Sequence, residues 1–319
     1  MTVAGPASLY ADLDVVAELD RPLGPLTWYG VGGAADVLIH PRSVDALATL
    51  VERCHRDAIP LRVLGSGANL LVDDEGVDGV VVLLDDPAFK AVEFNADGLV
   101  ERMRVHGGAS MERLVTECAR RGLRGVEQMS GIPASLGGAI RMNAGGKFGA
   151  IGDAVDAVAV VGTDGELRVY GHDELHFGYR ETNLPAGVVA WAVLRVEPDD
   201  PVACRKRVLE IFSYKKSTQP MGASSAGCMF RNPTMPDGSR ESAGRLIDLA
   251  GLKGTRIGAA VVSEEHGNFL AFDRVKGAGH GSAADMRRLV ERVQVEVLRR
   301  FGVELATEVV FWRRGEAAG

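Results

Sequence analysis

The sequence predicts an α+β chain of two domains, and three observations carry that reading. Its 319 residues are 46% apolar, enough to fill a core in each of two domains. Short apolar runs bounded by Gly, Pro and Asp are interspersed with longer stretches whose apolar residues recur every third or fourth position, so strands and helices mix along the chain. Glu197-Pro198-Asp199-Asp200-Pro201 reads as a linker and puts a boundary near 198–203. The expected organisation is an N-terminal extension over 1–21, a first domain over 22–200, a second over 201–312 and a tail over 313–319.

After the loose N-terminal stretch, Thr27-Trp28-Tyr29-Gly30-Val31-Gly32-Gly33 leads into an apolar strand over 35–39 that ends at Pro41. Ser43 then caps a helix in which Val44, Leu47, Leu50, Val51 and Cys54 recur at helical spacing, and Pro60 marks the restart. Residues 61–64 form a short buried strand, and 70–72, 79–84, 91–94 and 100–106 read as further strands. Ser110 opens a helix with Met111, Leu114, Val115 and Cys118 on one face, and Gly122 closes it. A hairpin follows, with strands over 155–161 and 166–170 around Thr163-Asp164-Gly165, and 188–196 alternates as a half-buried strand. Beyond the linker a helix runs from Val202 to a break at Pro220. A short helix over 242–250, strands near 256–262 and 268–273, a helix opened by Ser282 with Asp285 and ended by Gly302, and a strand over 307–312 complete the order.

A net charge of −7 argues against a nucleic-acid partner, because such binding rests on clustered positive charge. The arginine pairs at 120–121, 287–288, 299–300 and 313–314 then read as solvated helix faces or a tail. Cysteines 54, 118, 204 and 228 form no CxxC pair and no short disulfide framework, which fits a reducing cytosol; Cys54 and Cys118 fall on apolar stripes as inert core thiols. The first twenty residues carry acids and no apolar signal core, and the aliphatic run at 80–84 is far too short for a bilayer. A cytoplasmic protein without a membrane partner is expected. The seven histidines show no metal-binding spacing, so no metal is expected.

Two glycine-rich stretches point to chemistry. Residues 131–146 read GIPASLGGAIRMNAGG. Glycine lacks a Cβ, so such a backbone can approach a ligand closely, and a cradle of main-chain N–H groups can hold a pyrophosphate without a lysine. The alternative is a glycine-rich turn between packed elements. Gly65-Ser66-Gly67-Ala68-Asn69 follows the strand at 61–64, but it lacks the Gly-Lys-Ser/Thr of a Walker loop and runs into a strand, not into the helix of a Rossmann fingerprint. It is either a second cradle of a less common type or a plain hairpin turn. Phe177-Gly178-Tyr179-Arg180 offers an arginine that is either a surface residue or a planar fork for a substrate carboxylate. The stretch 224–233 reads as a small-residue loop presenting one thiol, Cys228, and Glu308 sits among apolar neighbours as either an edge-strand group or a functional one.

In order and spacing, GSGANLLV at 65–72, GIPASLGGAIRMNAGG at 131–146, FGYR at 177–180, SAGCMFRNP at 225–233 and TEVVFW at 307–312 resemble the motifs of the UDP-N-acetylenolpyruvoylglucosamine reductases. The resemblance covers about residues 22–312; each motif alone is weak, and five in the family's order are specific. It implies a PCMH-type FAD-binding domain of two α+β subdomains, with a C-terminal α/β domain that closes over the flavin and holds a nucleotide sugar. It implies FAD and NADPH as cofactors. NADPH reduces FAD, and UDP-N-acetylglucosamine enolpyruvate then takes a hydride at its methylene carbon and a proton at the neighbouring carbon, giving UDP-N-acetylmuramate for peptidoglycan synthesis. A monomer is expected, of the subtype without a tyrosine-bearing lid loop, since the segment after Phe177 is short.

Carried onto this sequence, the resemblance implies cofactor contacts from Tyr29, from Gly65, Ser66, Gly67, Ala68 and Asn69, and from Gly131, Ile132, Pro133, Ser135, Gly138, Asn143, Ala144 and Gly145. It implies substrate contacts from Lys215, Lys216, Arg231 and Asn232. Arg180 would face the substrate carboxylate as charge develops, Cys228 would donate the proton, and Glu308 would hydrogen-bond near the same carbon or help protonate it. Cys228 is a departure, because the family usually has serine there. A thiol with a reference pKa of about 8.5 is mostly protonated at neutral pH, but a nearby Arg180 is expected to lower that value. Arg231 stands for a usual lysine, and Thr218 falls where a lysine is frequent, so Lys215 or Lys216 would supply the charge. The competing readings are another PCMH-type FAD oxidoreductase acting on a sugar or hydroxy acid, and a nucleotide-sugar binding protein without catalysis. Many such oxidases tether FAD to a histidine in the first glycine loop, which GSGAN lacks.

Overall fold

Strands that are aliphatic on both faces must be covered on both, and the runs around Val37 and Val81 meet that demand in the computed structural model, which describes residues 9–220, 222–273 and 281–316. The chain begins with β1 (Val15–Pro22), β2 (Ala34–Pro41), α1 (Val44–Arg56), β3 (Leu61–Leu64), β4 (Leu70–Val72) and β5 (Val77–Leu83). A four-stranded sheet forms in the order β1-β2-β5-β3, parallel except for β1. The Ser43 side chain accepts from Ala46 N to start α1, which lays Leu47, Leu50, Val51 and Cys54 on this sheet. Residues 15–21, expected within a loose extension, belong instead to the edge strand β1, in register with β2 from Val15 opposite Pro41 to Pro22 opposite Ala34. None of its residues is fully buried, so its sequence carries no clear alternation.

The second layer comprises β6 (Val92–Phe94), β7 (Arg102–His106), α2 (Met111–Arg121), α3 (Leu136–Arg141), β8 (Val155–Gly162), β9 (Leu167–Gly171) and β10 (Gly187–Arg195). Its strands pair antiparallel in the order β9-β8-β10-β7-β6. Ser110 caps α2, and Gly122 at φ +68 ends it in the left-handed conformation that glycine tolerates. Met111, Leu114, Val115 and Cys118 of α2 join Leu136, Ala139 and Ile140 of α3 over Val158, Val189 and Leu194. Glu197 and Pro198, expected as linker, pair with Arg124 and Leu123 before the chain leaves this layer.

Asp200 caps α4 (Pro201–Thr218), which packs against α2. The C-terminal domain then adds β11 (Ser224–Cys228), α5 (Ala243–Leu249), β12 (Arg256–Ile257), β13 (Ala260–Val262), β14 (Phe269–Phe272), α6 (Ala283–Phe301) and β15 (Val310–Trp312). Its sheet runs β11-β14-β13-β12, antiparallel throughout. Two expectations change here. The single strand over 256–262 is a hairpin turned at Gly258, which adopts φ +55, and residues 224–228 form a strand where a loop was expected. Leu246 and Ile247 of α5 and Met286, Leu289, Val293 and Val297 of α6 cover this sheet.

β15 does not join the C-terminal sheet but pairs in parallel with β4. The domain is therefore laced back to the first subdomain. Asp74 accepts from Ala283 N and Ala284 N at the start of α6, at 2.8 and 3.0 Å. The expected tail is pinned too: Arg314 Nη2 donates to Asp36 at 2.8 Å, and the buried Arg62 guanidinium donates to Arg313 O at 3.2 Å. Among the described residues no helix is long and apolar enough to cross a membrane.

Candidate active site

Phe177 and Gly178 pair with Thr182 and Glu181, which leaves Tyr179 and Arg180 as the turn of a two-stranded ribbon. Arg180 adopts φ +59, a left-handed conformation that costs a non-glycine residue energy and needs support from its surroundings. Asn143 supplies the support. Its buried amide donates to Gly178 O at 2.8 Å and accepts from Gly152 N at 3.1 Å.

Glu308 arrives from the opposite side, just ahead of β15. Its N–H donates to Met229 O at 2.7 Å, and its carbonyl accepts from Asn69 Nδ2 at 3.0 Å. These bonds fix the peptide between the end of β11 and the first glycine loop. The side chain then meets Arg180, whose Nε donates to Glu308 Oε1 at 2.5 Å. With the two side chains only 20% and 11% exposed, this is a charge-assisted, largely desolvated pair.

Cys228 is the last residue of β11, in register with Phe269. Asn268, buried beside it, accepts from Phe230 N and donates to Phe230 O, which locks the strand end where the thiol emerges. Burial pushes the Cys228 thiol up to about 12, the Glu308 carboxylate adds to the rise, and Arg180 and the Asn268 hydrogen bond oppose it. The net lowering expected from Arg180 does not result: its effect is present but is outweighed by desolvation and by the Glu308 carboxylate. Arg180, Cys228 and Glu308 thus line one pocket of about 360 Å³, together with Asn143, Lys147 and Asn268. A second cavity of about 480 Å³ shares Tyr179 and Asn232 with the first and is also lined by Arg231 and Arg240.

The two glycine stretches face each other. Ser66 Oγ donates to Pro133 O at 2.9 Å, and a Cβ on Gly65 would stand 2.7 Å from Ser135 Oγ. Gly67 adopts φ +66, and a Cβ there would stand 2.1 Å from Leu26 O. Among the described residues, the N–H groups of Ser66, Gly67, Ala68 and Asn69 donate to no protein acceptor. Consecutive free N–H groups on closely approached backbone suit a pyrophosphate. The second stretch is not the bare cradle its glycines suggest. Gly131, Ile132 and Pro133 form a loop, Ser135 caps the six-residue α3 by accepting from Gly138 N at 3.3 Å, and Ala144 and Gly145 follow that helix.

Two residues expected at the site line neither cavity. Tyr29 is fully buried in the C-terminal core, edge-on to Phe272 at 5.7 Å, and burial raises its phenol pKa; its side chain lines neither cavity. Lys215 is only 7% exposed, donates to Ser130 O and Gln128 O, and is lowered by burial to about 8. It braces the loop ahead of residues 131–146 and lines neither cavity. Lys216 is exposed on α4, whereas Arg231 and Asn232 line the second cavity. The sequence reading misses Asn268 and Lys147. A lone asparagine gives no signal by itself, but a cation directly after the glycine stretch does.

Residues 35–171 match the family model of an FAD binding domain, and residues 219–312 match that of the UDP-N-acetylenolpyruvoylglucosamine reductase, C-terminal domain. The chain is 39% identical over 292 residues to the UDP-N-acetylenolpyruvoylglucosamine reductase of Acidiphilium cryptum, covering 91% of this chain and 89% of that one. It is 36% identical over 308 residues to that of Moorella thermoacetica, covering 96% and 97%. The crystal structure of the enzyme from Thermus caldophilus matches with a TM-score of 0.76 at 38% identity, covering 94% of this chain and 99% of that one.

Proposed function

Because the chain belongs to the UDP-N-acetylenolpyruvoylglucosamine reductase family of FAD-dependent oxidoreductases, we propose that it reduces UDP-N-acetylglucosamine enolpyruvate to UDP-N-acetylmuramate, with NADPH as electron source. FAD, when bound, would supply the hydride carrier between NADPH and the methylene carbon of the enolpyruvyl group. The observation that carries the reading is the convergence of a guanidinium, a carboxyl and a thiol in one pocket, with Asn69 linking the glycine cradle to Glu308.

Arg180 orients the substrate. Glu308 engages its Nε, which leaves both Nη groups for the enolpyruvyl carboxylate, into which charge flows as the neighbouring carbon becomes electron-rich. Cys228 then gives that carbon its proton. With its thiol pushed up to about 12, it holds S–H across neutral pH and is not drained by solvent. The thiolate left behind lies near Arg180, which offsets its charge until a proton returns from water.

The N–H groups of Ser66 to Asn69, with the loop at 131–133 and the start of α3, would hold the FAD pyrophosphate, and Arg231 and Asn232 would hold the nucleotide sugar. On this reading residues 22–200 form the FAD-binding domain and 201–312 the substrate-binding domain. The enzyme works as a cytoplasmic monomer, which its four free cysteines support as regards compartment. Under anaerobic conditions NADPH should bleach the flavin, and the enolpyruvyl substrate should restore its colour with UDP-N-acetylmuramate as product. Flavin that bleaches but is reoxidised only by oxygen contradicts the substrate assignment.

A further inference from the structure

Lys147 and Phe148 form the turn between Gly145–Gly146 and Gly149–Ala150, which pair antiparallel at the rim of the pocket. Among the residues lining that pocket only Lys147, Arg180 and Glu308 carry charge. Arg180 and Glu308 cancel through their 2.5 Å pair, so the net positive charge of the pocket resides on Lys147. Among the described residues the lysine ion pairs belong to Lys206 and Lys253, not to Lys147.

The Lys147 ammonium lies 4.4 Å from the centroid of the Tyr214 ring and 5.9 Å from that of Phe148. The two rings meet edge to face at 5.3 Å and are 39% and 41% exposed. A cation–π contact at such a site is weak, so it positions the ammonium without neutralising it. A Cβ on the adjacent Gly146 would meet nothing within 4 Å, which leaves open space beside the turn.

We propose that Lys147 is a phosphate-binding residue of this pocket, parked on the Tyr214–Phe148 pair until the phosphate of a nucleotide ligand draws it inward. The inference rests on the function proposed above, in which both ligands are nucleotides that carry a pyrophosphate. Arg180 is committed to a carboxylate, so a phosphate entering on this side meets Lys147 as its cation. The shared chemistry is a phosphate group, supplied either by the sugar nucleotide or by NADPH.

The test compares Lys147→Met and Lys147→Arg in the two half-reactions by anaerobic stopped flow, with NADPH and the enolpyruvyl sugar nucleotide as probes over a salt series. Lys147→Met should raise the half-saturating concentration of at least one ligand about tenfold. It should leave the limiting rate and flavin content near wild type and flatten the salt dependence, while Lys147→Arg restores both affinity and slope. A rise for the sugar nucleotide alone assigns its diphosphate, a rise for NADPH alone assigns the dinucleotide, and a rise for both assigns a shared phosphate position. If wild-type enzyme turns over and Lys147→Met binds both ligands with unchanged affinity and salt slope, the proposal is overturned and the function stands. A flavin-loaded wild type that never turns over removes the function on which it rests.

Discussion

Arg180 and Glu308, 128 residues apart in sequence, meet through a single 2.5 Å hydrogen bond from Nε to Oε1 that joins the ribbon at 177–182 to the segment leading into β15. The pair joins the C-terminal segment to the first domain at the point where the proposed mechanism puts the substrate carboxylate. It also fixes how Arg180 presents its remaining donors.

That geometry predicts that Arg180→Lys is damaging although charge is retained. A lysine offers one point charge and cannot hold Glu308 through one nitrogen while gripping a carboxylate through two others. Reoxidation of the flavin by substrate should slow about 10²–10³-fold, the usual cost of losing a donor aimed at developing charge. Reduction by NADPH should stay near wild type. Wild-type reoxidation in this variant would remove Arg180 from the site.

The brace under Arg180 should be measurable as stability. Asn143→Ala strips partners from Gly178 O and Gly152 N and puts an alanine at φ +42. Urea unfolding should show a loss of about 1–3 kcal/mol, with slower substrate reoxidation because the Arg180 turn loosens. An unchanged unfolding midpoint would show that the ribbon holds its shape without Asn143.

Lys215 makes a pH prediction with a definite sign. An unfolded lysine keeps its proton to about 10.5, whereas burial makes folded Lys215 release it near 8. Between those values the unfolded chain binds more protons, so this group's contribution to stability rises with pH, and its penalty is fully present below pH 8. Relative to Lys215→Met, the wild type should gain up to about 3 kcal/mol as pH climbs through that window. A difference between the two proteins that stays flat with pH would contradict the burial of a charged amine.

Cys228 should behave as an unreactive thiol. At about 12 its thiolate fraction at pH 8 is roughly one part in ten thousand, so iodoacetamide should label it far more slowly than an ordinary exposed cysteine. The reoxidation step should show no basic limb from this group below a pH of about 11. Cys228→Ser should remain active. A basic limb near pH 8 that disappears in Cys228→Ser would overturn the assignment of a high-pKa donor.

Local signals in the sequence reach as far as local physics does. Ser43, Ser110 and Ser282 each cap the helix they announce, and Gly122 and Gly302 end theirs in left-handed conformation, because a cap is decided within four residues. The edge strand β1 is hidden because exposed residues need not alternate, and α3 is hidden because its glycines lower helix propensity that packing of Leu136 and Ile140 restores. Tyr29 and Lys215 look like site residues in sequence, yet a core and a pair of carbonyls claim them, which only the tertiary arrangement decides. Arg180, Cys228 and Glu308 are legible as members of motifs. Their meeting in one pocket, with the thiol raised by burial, comes from β15 crossing back to β4.

The most direct measurement is the pair of half-reaction rates in Cys228→Ala. Protonation by the thiol predicts that NADPH reduces the flavin at close to the wild-type rate while the enolpyruvyl substrate reoxidises it about 10²–10⁴-fold more slowly, the reach of a lost general acid. Equal slowing of both steps, or none of either, would contradict it.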